Sequence, residues 1–335
     1  TVENVSPADL FGLRLIAEYA TDENIACLAG ASASIIRTKF GQIAEAKERL
    51  EQVLRRTTFA DPAHRGLLIW ADAVSTLETG NTPSAESRFI DATNLAHTAR
   101  DLGLLATMHR RWADALSERG DHNRAADHYR SARSLYRRRA NPEGVCAALR
   151  GSADQAVALG EVLSAEALYD QSEMHTTTSI EHANRLLGWA TLAISQGGWD
   201  RAQTLLTRAA RTASDSGLVQ AACARRKADI SLRSGDPISA ISQGHQANIL
   251  FSKLGHATAA ARCLRLCGDA EAMQGAYQDA FLLYRKALRE HMRCGDNQGF
   301  QRTIDHVCTL LQSLGETNSS NSIRQIVEKM YLGVS

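Results

Sequence analysis

Small and apolar positions recur along this chain at a fixed spacing. In a regular series of seven, a glycine is followed five residues later by an alanine: Gly41/Ala46, Gly80/Ala85, Gly120/Ala125, Gly160/Ala165, Gly197/Ala202, Gly235/Ala240 and Gly275/Ala280. The six steps from Gly41 to Gly275 average 39 residues. Seven residues before each glycine stands a small residue: Ser34, Ala73, Ala113, Ala153, Ala190, Ala228 or Gly268. Nine after it stand Leu50, Phe89, Tyr129, Tyr169, Leu206, Gly244 and Tyr284, and twelve after it Val53, Ala92, Ala132, Ser172, Ala209, Ala247 and Ala287. Small residues at fixed points let paired helices approach closely, while the large residue fills the gap between neighbouring pairs. The glycine supplies the turn, where φ can be positive. A period of this length predicts an all-α stack of helical hairpins, each burying its apolar face on the next.

The ends read differently. Ser6-Pro7-Ala8-Asp9 looks like a helix start, and the helix Pro7–Ala20 carries Leu10, Phe11, Leu13, Leu15, Ile16 and Tyr19. It is too apolar to stand alone and is expected to cap the first repeat. At the other end Gly315 continues the period with Cys308 in the small column, but Ser320 and Arg324 replace the alanine and the aromatic residue. The expected division is a capping helix over 1–22, seven repeats over 23–297, and a degenerate capping repeat over 298–335.

The columns resemble the tetratricopeptide repeat (TPR) over roughly residues 24–333. An ordinary TPR unit has 34 residues; these have 37 to 40. The longer period resembles the helix-extended TPRs of spindle-scaffold proteins and the TPR arms of bacterial STAND-type regulators. The stretch Cys267-Gly268-Asp269…Gly275…Ala280…Tyr284…Ala287…Gly295-Asp296 is most similar to the latter group. The resemblance implies a TPR-like α-solenoid, a right-handed superhelix of about eight helical hairpins. It also implies that the first helix of each hairpin lines a concave, partner-binding face, with inward positions thirteen, ten and six residues before the turn glycine.

Those positions hold a repeated pair, Arg-x-x-x-Asp: Arg110/Asp114, Arg150/Asp154, Arg225/Asp229 and Arg265/Asp269. Asn184 and Arg262 stand at the outermost of the three positions. Two readings stay open. One is a salt-bridge ladder, worth about 0.2–0.5 kcal/mol per exposed pair, although Arg before Asp is the weaker order in a helix. The other is a polar strip that grips a partner through bidentate guanidinium contacts. In the first two repeats the inward residues are apolar: Leu28, Ile35, Leu67, Trp70, Val74 and Leu77. They are either covered by the helix Pro7–Ala20 or, as Leu67, Trp70, Val74 and Leu77, form an apolar docking site. Repeat five breaks the ladder with Leu187 and Thr191, and the connection Glu173–Asn184 before it lacks the usual glycine.

Of 335 residues 44% are apolar, which suffices for a continuous core, and the net charge of +1 gives no general attraction to nucleic acid or anionic membrane. The run Arg130, Arg133, Arg137, Arg138 and Arg139 reads as a solvated outer face. The five prolines fall where helices begin or in connections. Seven cysteines form no CxxC pair; six of them fall in first helices, as buried packing residues in a reducing cytoplasm would. No phosphate-binding loop, HExxH or GxSxG is present, and the eleven histidines are scattered. No catalytic residue, cofactor or metal is therefore expected. The expected function is a scaffold that binds a protein, a peptide or an intramolecular effector domain on its concave face. The rival is a ligand-sensing arm of a regulator whose effector domain is not in this chain.

Overall fold

A computed structural model describes residues 7–39, 42–78, 81–294 and 296–323, and the described residues hold no strand. A first helix, α1 (Pro7–Tyr19), is followed by hairpins α2 (Glu23–Lys39) with α3 (Ile43–Arg56), α4 (Pro62–Glu78) with α5 (Thr82–Thr98), and α6 (Leu102–Glu118) with α7 (His122–Arg138). Next come α8 (Pro142–Ala158) with α9 (Val162–Glu173), α10 (Ser179–Ser195) with α11 (Trp199–Thr212), and α12 (Gly217–Arg233) with α13 (Pro237–Lys253). The chain continues through α14 (Ala257–Met273) with α15 (Tyr277–Cys294), then α16 (Asn297–Ser313) and a helix that starts at residue 317.

Most helices are 17 residues long and start every 20 residues. The 39-residue period is thus two helix-plus-turn steps. Many of these starts are fixed locally. Pro7, Pro62, Pro142 and Pro237 are first helical residues and Pro83 is a second one, where a missing N–H costs nothing. Side-chain oxygens of Asn81, Asp101, Asp121, Asn141, Asp236 and Asp296 accept from the first free backbone N–H groups. Each such cap stabilises by about 1 kcal/mol. Between hairpin arms the turn glycines Gly120, Gly160, Gly197, Gly235, Gly275 and Gly315 have φ between 74° and 84°, the left-handed turn that the spacing predicts. Gly41 and Gly80 lie outside the described residues. Between hairpins, Arg100 and Ala140 adopt φ of 55° and 51°, where the matching turn further on uses Gly255.

The column residues are the core. All seven alanines five residues after the glycines are 0% exposed. Tyr169 and Leu206 at the large position are fully buried too. Ser320, in the alanine column of the last repeat, is buried as well, while Arg324 lies outside the described residues.

The helices fall into two compact units, residues 1–223 and 224–335, with the break inside α12. In the first unit, α2, α4, α6, α8 and α10 lie side by side as an inner layer, and the second helix of each hairpin packs behind its own first helix. α1 lies on α2, placing Leu13 and Ala17 against Cys27 and Ala31. Glu18 receives Arg49 of α3 at 2.9 Å. Phe11, Leu15, Ile16 and Tyr19 stay exposed. Ser6 and the side chains of residues 7–9 fall outside the described set. In the second unit α13 packs on α14, α14 on α15, and α14 also touches α16.

One sequence boundary moves. The connection expected over Glu173–Asn184 is shorter: α9 ends at Glu173 and α10 already begins at Ser179. Thr178 and Glu181 form a reciprocal capping box, which starts the helix without a glycine. Asn184 therefore stands on the helix. Arg185, 7% exposed, reaches back across the link to Glu173 at 2.8 Å.

Candidate ligand-binding face

The inner layer of the first unit begins apolar. Trp70 and Leu77 are 5% and 1% exposed and pack in the cluster that holds Phe89, Met108 and Trp112. They belong to the core and offer no surface for docking. Leu67, Val74 and Ile35 are half-buried against the same cluster. Ile35 and Leu67 also pack against the cluster that holds Ala17 and Leu13 of α1, so both α1 and the neighbouring hairpins cover them, whereas Leu28 stays exposed.

Further along, the Arg/Asp ladder forms only in part. Arg110 meets Asp114 at 3.4 Å, and Arg265 meets Asp269 at 3.2 Å. Arg150/Asp154 and Arg225/Asp229 are not ion pairs; Asp229 instead takes Arg233 at 3.0 Å. The reason lies behind the ladder. Three of the four aspartates accept a hydrogen bond from the tyrosine fifteen residues later, on the second helix of the same hairpin. Tyr129 Oη donates to Asp114 at 2.6 Å, Tyr284 Oη to Asp269 at 2.8 Å, and Tyr169 Oη to Asp154. Asp229 has no such partner because Gly244 occupies that column. Burial, then the aspartate beside it, pushes the phenols of Tyr129 and Tyr284 above the usual tyrosine range. These aspartates are therefore structural acceptors that tie the two arms of a hairpin together.

The tyrosine rings also explain two glycines. A Cβ on Gly151 would lie 2.3 Å from Tyr129 Cε1, and one on Gly188 2.4 Å from Tyr169 Cε1. Each ring thus fills a hole in the first helix of the next hairpin. Where the large column becomes Gly244, the size order reverses, and Cys267 Sγ would lie 2.5 Å from an added Cβ. Columns compared between neighbours, rather than within one repeat, carry this signal.

What remains on the inner helices is mostly cationic. In the first unit Arg110 is held charged: burial works against its charge, but Asp114 and the Tyr136 phenol outweigh it and raise its pKa. Arg150, on α8, is half-buried and makes no hydrogen bond or ion pair among the described residues. Asn184, on α10, is half-buried as well.

In the second unit Arg225 lies on α12, Arg262 and Arg265 on α14, and Arg302 and His306 on α16. Asp269 is fully used: besides Tyr284 and Arg265 it accepts His306 Nδ1 at 2.7 Å, whose Nε2 lies 2.8 Å from Arg265. That arrangement fits a neutral ring with its proton on Nδ1. Asp296 Oδ1 accepts the Gly299 N–H at 2.8 Å; its Oδ2 lies 2.9 Å from Nδ1 of the fully buried His291 without hydrogen-bond geometry, and Arg262 stands at 3.7 Å. Burial opposes the Asp296 charge, yet His291, Gly299 and Arg262 hold its carboxyl below the usual range. Arg225 has no hydrogen bond or ion pair among the described residues. Burial and the like charges of Arg226 and Arg262 push its pKa down to about 10. The sequence reading passed over Arg302, thirteen residues before Gly315 in the degenerate last repeat, and also His306 and the His291–Asp296 pair, which lie off the three inward columns.

The remaining candidates stay inert. All seven cysteines are buried free thiols. Burial raises Cys263 to about 11 and Cys267 to about 12, away from reactive thiolate. No cluster of three or more metal-ligating side chains occurs among the described residues. The basic run on α7 leaves Arg130, Arg137, Arg138 and Arg139 in solvent, with Arg130 paired to Asp127 at 2.8 Å.

No family model and no curated protein matches the sequence. Solved structures share the fold. One is a tetratricopeptide repeat protein from Parabacteroides merdae, 17% identical, with TM-score 0.51 over 83% of this chain and 98% of that one. The apo quorum sensor NprR from B. thuringiensis is 12% identical, with TM-score 0.57 over 97% of this chain and 92% of that one. A Rap protein complexed with Competence and Sporulation Factor is 11% identical, with TM-score 0.55 over 92% and 98%. The fold is thus the TPR-type stack of helical hairpins.

Proposed function

We propose that this protein is a binding scaffold, not an enzyme, whose inner helices hold an extended peptide or protein segment. Arg150 carries the reading. A half-buried guanidinium with five donors and no acceptor is costly to keep in the free protein, and a ligand carbonyl or carboxylate satisfies it. Arg110 and Asn184 stand on the inner helices to either side. No helix among the described residues is long and apolar enough to cross a membrane, and seven free thiols suit a reducing compartment.

Selection of random dodecapeptides on the immobilised full chain tests this. Enriched peptides are expected to bind Arg150→Gln about 10- to 100-fold more weakly, with the unfolding midpoint unchanged. Absence of enrichment, or equal binding to the variant, refutes it.

A second reading is a sensing arm of a regulator. It draws on the quorum sensor and the factor-bound Rap protein among the fold neighbours. It requires that the selected ligand change the protection of helices away from the binding face.

A further inference from the structure

The outward face of α1 is apolar where its counterparts further along the chain are polar. Ala17 stands six residues before α2 begins, as the buried Ala96, Tyr136, Phe251 and His291 stand six before α6, α8, α14 and α16. In that register α1 matches the second helix of a hairpin, and Phe11, Gly12, Leu15 and Tyr19 take its outward positions. The matching positions of α5, α7, α13 and α15 are exposed, and apart from Ile90 and Ile249 they are polar. Level with Gly12 stand Asp91, Ser131, Gln246 and Lys286, and level with Tyr19 stand Thr98, Arg138, Lys253 and Arg293. Gly12 is the second departure. Gly30, Gly66, Gly151, Gly188, Gly244 and Gly268 also lie inside helices, and an added Cβ on each would meet an atom of a neighbouring helix at 2.3–3.2 Å. Tyr129, Tyr169 and Tyr284 fill three of these holes. A Cβ on Gly12 would meet nothing within 4 Å. Glycine weakens a helix, and here it makes a hole that the described residues of the chain leave unfilled. Tyr19, seven residues further along the same face, is a knob without a hole.

We propose that α1 is the contact of a homodimer in which Tyr19 of each copy fills the Gly12 hole of the other. A two-fold axis makes contacts reciprocal, so a face that holds both the knob and the hole is its own complement. Antiparallel helices with the axis between Leu15 and Ile16 place residue 12 of one copy level with residue 19 of the other. Leu15 and Ile16 then meet their counterparts at the centre. The face itself carries no charge. On its flank Glu18 pairs with Arg14 and Arg49 of its own copy, each at 2.9 Å. The axis sets Arg14 within one residue of the level of Glu18 in the other copy, so unlike charges approach. Phe11, Leu15, Ile16 and Tyr19 are 56%, 40%, 45% and 73% exposed. At about 200 Å² per fully exposed side chain they offer about 400 Å² per copy and about 800 Å² across the pair, which suits a weak dimer with Kd on the order of 10–100 µM. The contact uses none of the inner-helix arginines and is independent of the ligand-binding reading.

Sedimentation equilibrium of the full chain, from about 2 to about 400 µM, tests this. The wild-type mass is expected to rise from 36.4 kDa toward twice that value, with a midpoint on the order of 10–100 µM. Tyr19→Ser removes the knob and Gly12→Gln fills the hole, and each is expected to weaken association about tenfold or more. Neither change disturbs a packed contact, so the urea midpoint should hold in Tyr19→Ser and rise in Gly12→Gln. An equimolar mixture of the two variants restores one Tyr19–Gly12 contact and sets the new glutamine against the new serine. It is therefore expected to associate more tightly than either variant alone. Leu163→Ser, at an exposed residue of α9, is the control and should associate like wild type. A wild-type chain that stays monomeric leaves the face to a helix of another protein and overturns the proposal. So does a dimer that keeps its midpoint in both variants, or loses it equally in Leu163→Ser. A mixture no tighter than its components overturns the reciprocal contact.

Discussion

Tyr284→Phe decides whether the repeated aspartates belong to the fold or to the ligand. Tyr284 is 2% exposed, and its hydroxyl donates to Asp269 at 2.8 Å. The Asp269 side chain is 17% exposed and keeps His306 and Arg265 when the phenol is lost. A hydrogen bond to a charged group is worth about 1.5–3 kcal/mol, and the remaining partners place this one near the lower end, about 1.5 kcal/mol. That corresponds to roughly tenfold faster hydrogen exchange for amides of α14 and α15 that open together. Native-state exchange read by mass spectrometry suits the question, because all four tryptophans lie in the first unit and do not report on the second. Arg265→Gln, removing a partly screened pair, should cost less than about 1 kcal/mol. The same bond has an alkaline signature. The folded phenol is held above its unfolded pKa of about 10, so above pH 10 the unfolded chain binds fewer protons than the folded one. Stability then falls with rising pH by about 1.4 kcal/mol per unit, and the phenylalanine variant loses that slope. If Tyr284→Phe exchanges like wild type while Arg265→Gln exchanges faster, the structural role assigned to Asp269 is wrong.

Two further outcomes follow from buried side chains of the first unit. Burial and His128, 2.9 Å away, lower the His109 pKa to about 4. The unfolded chain therefore binds more protons below pH 6.5, and stability should drop by about 3 kcal/mol between pH 6.5 and 4. The urea midpoint by tryptophan fluorescence should show this acid limb, His109→Gln should flatten it, and an unchanged limb counts against the assignment. Gly188→Ala would place a methyl group 2.4 Å from the fully buried Tyr169 ring. Overpacking of this kind costs about 1–3 kcal/mol, more than the helix gains from alanine. A urea midpoint at or above wild type would show that the ring does not fill the glycine hole.

Residue columns alone determined the helices, their hairpin pairing and the core. That works because the contacts between a helix, its partner and the next hairpin repeat at fixed sequence offsets, so Ala46 and Ala280 do the same job in the same place. The turn glycines were legible for a similar reason, since a left-handed turn has few substitutes. The capping box at Thr178 was written in the chain as well, though the missing glycine hid it. The role of the inward charges was decided only by the fold. Asp114 and Asp269 look like partners of the arginine one turn earlier, yet a tyrosine on the opposite arm competes for the same oxygens and binds them in the interior. Trp70 and Leu77 look inward by spacing but are covered by side chains from other hairpins. Arg150 and Arg225 were candidates by spacing, but only the fold shows that the acids beside them bind other groups, Asp154 the Tyr169 hydroxyl and Asp229 the Arg233 guanidinium. A sequence names the charges on a helix, but which charge is left without a partner depends on every helix packed around it.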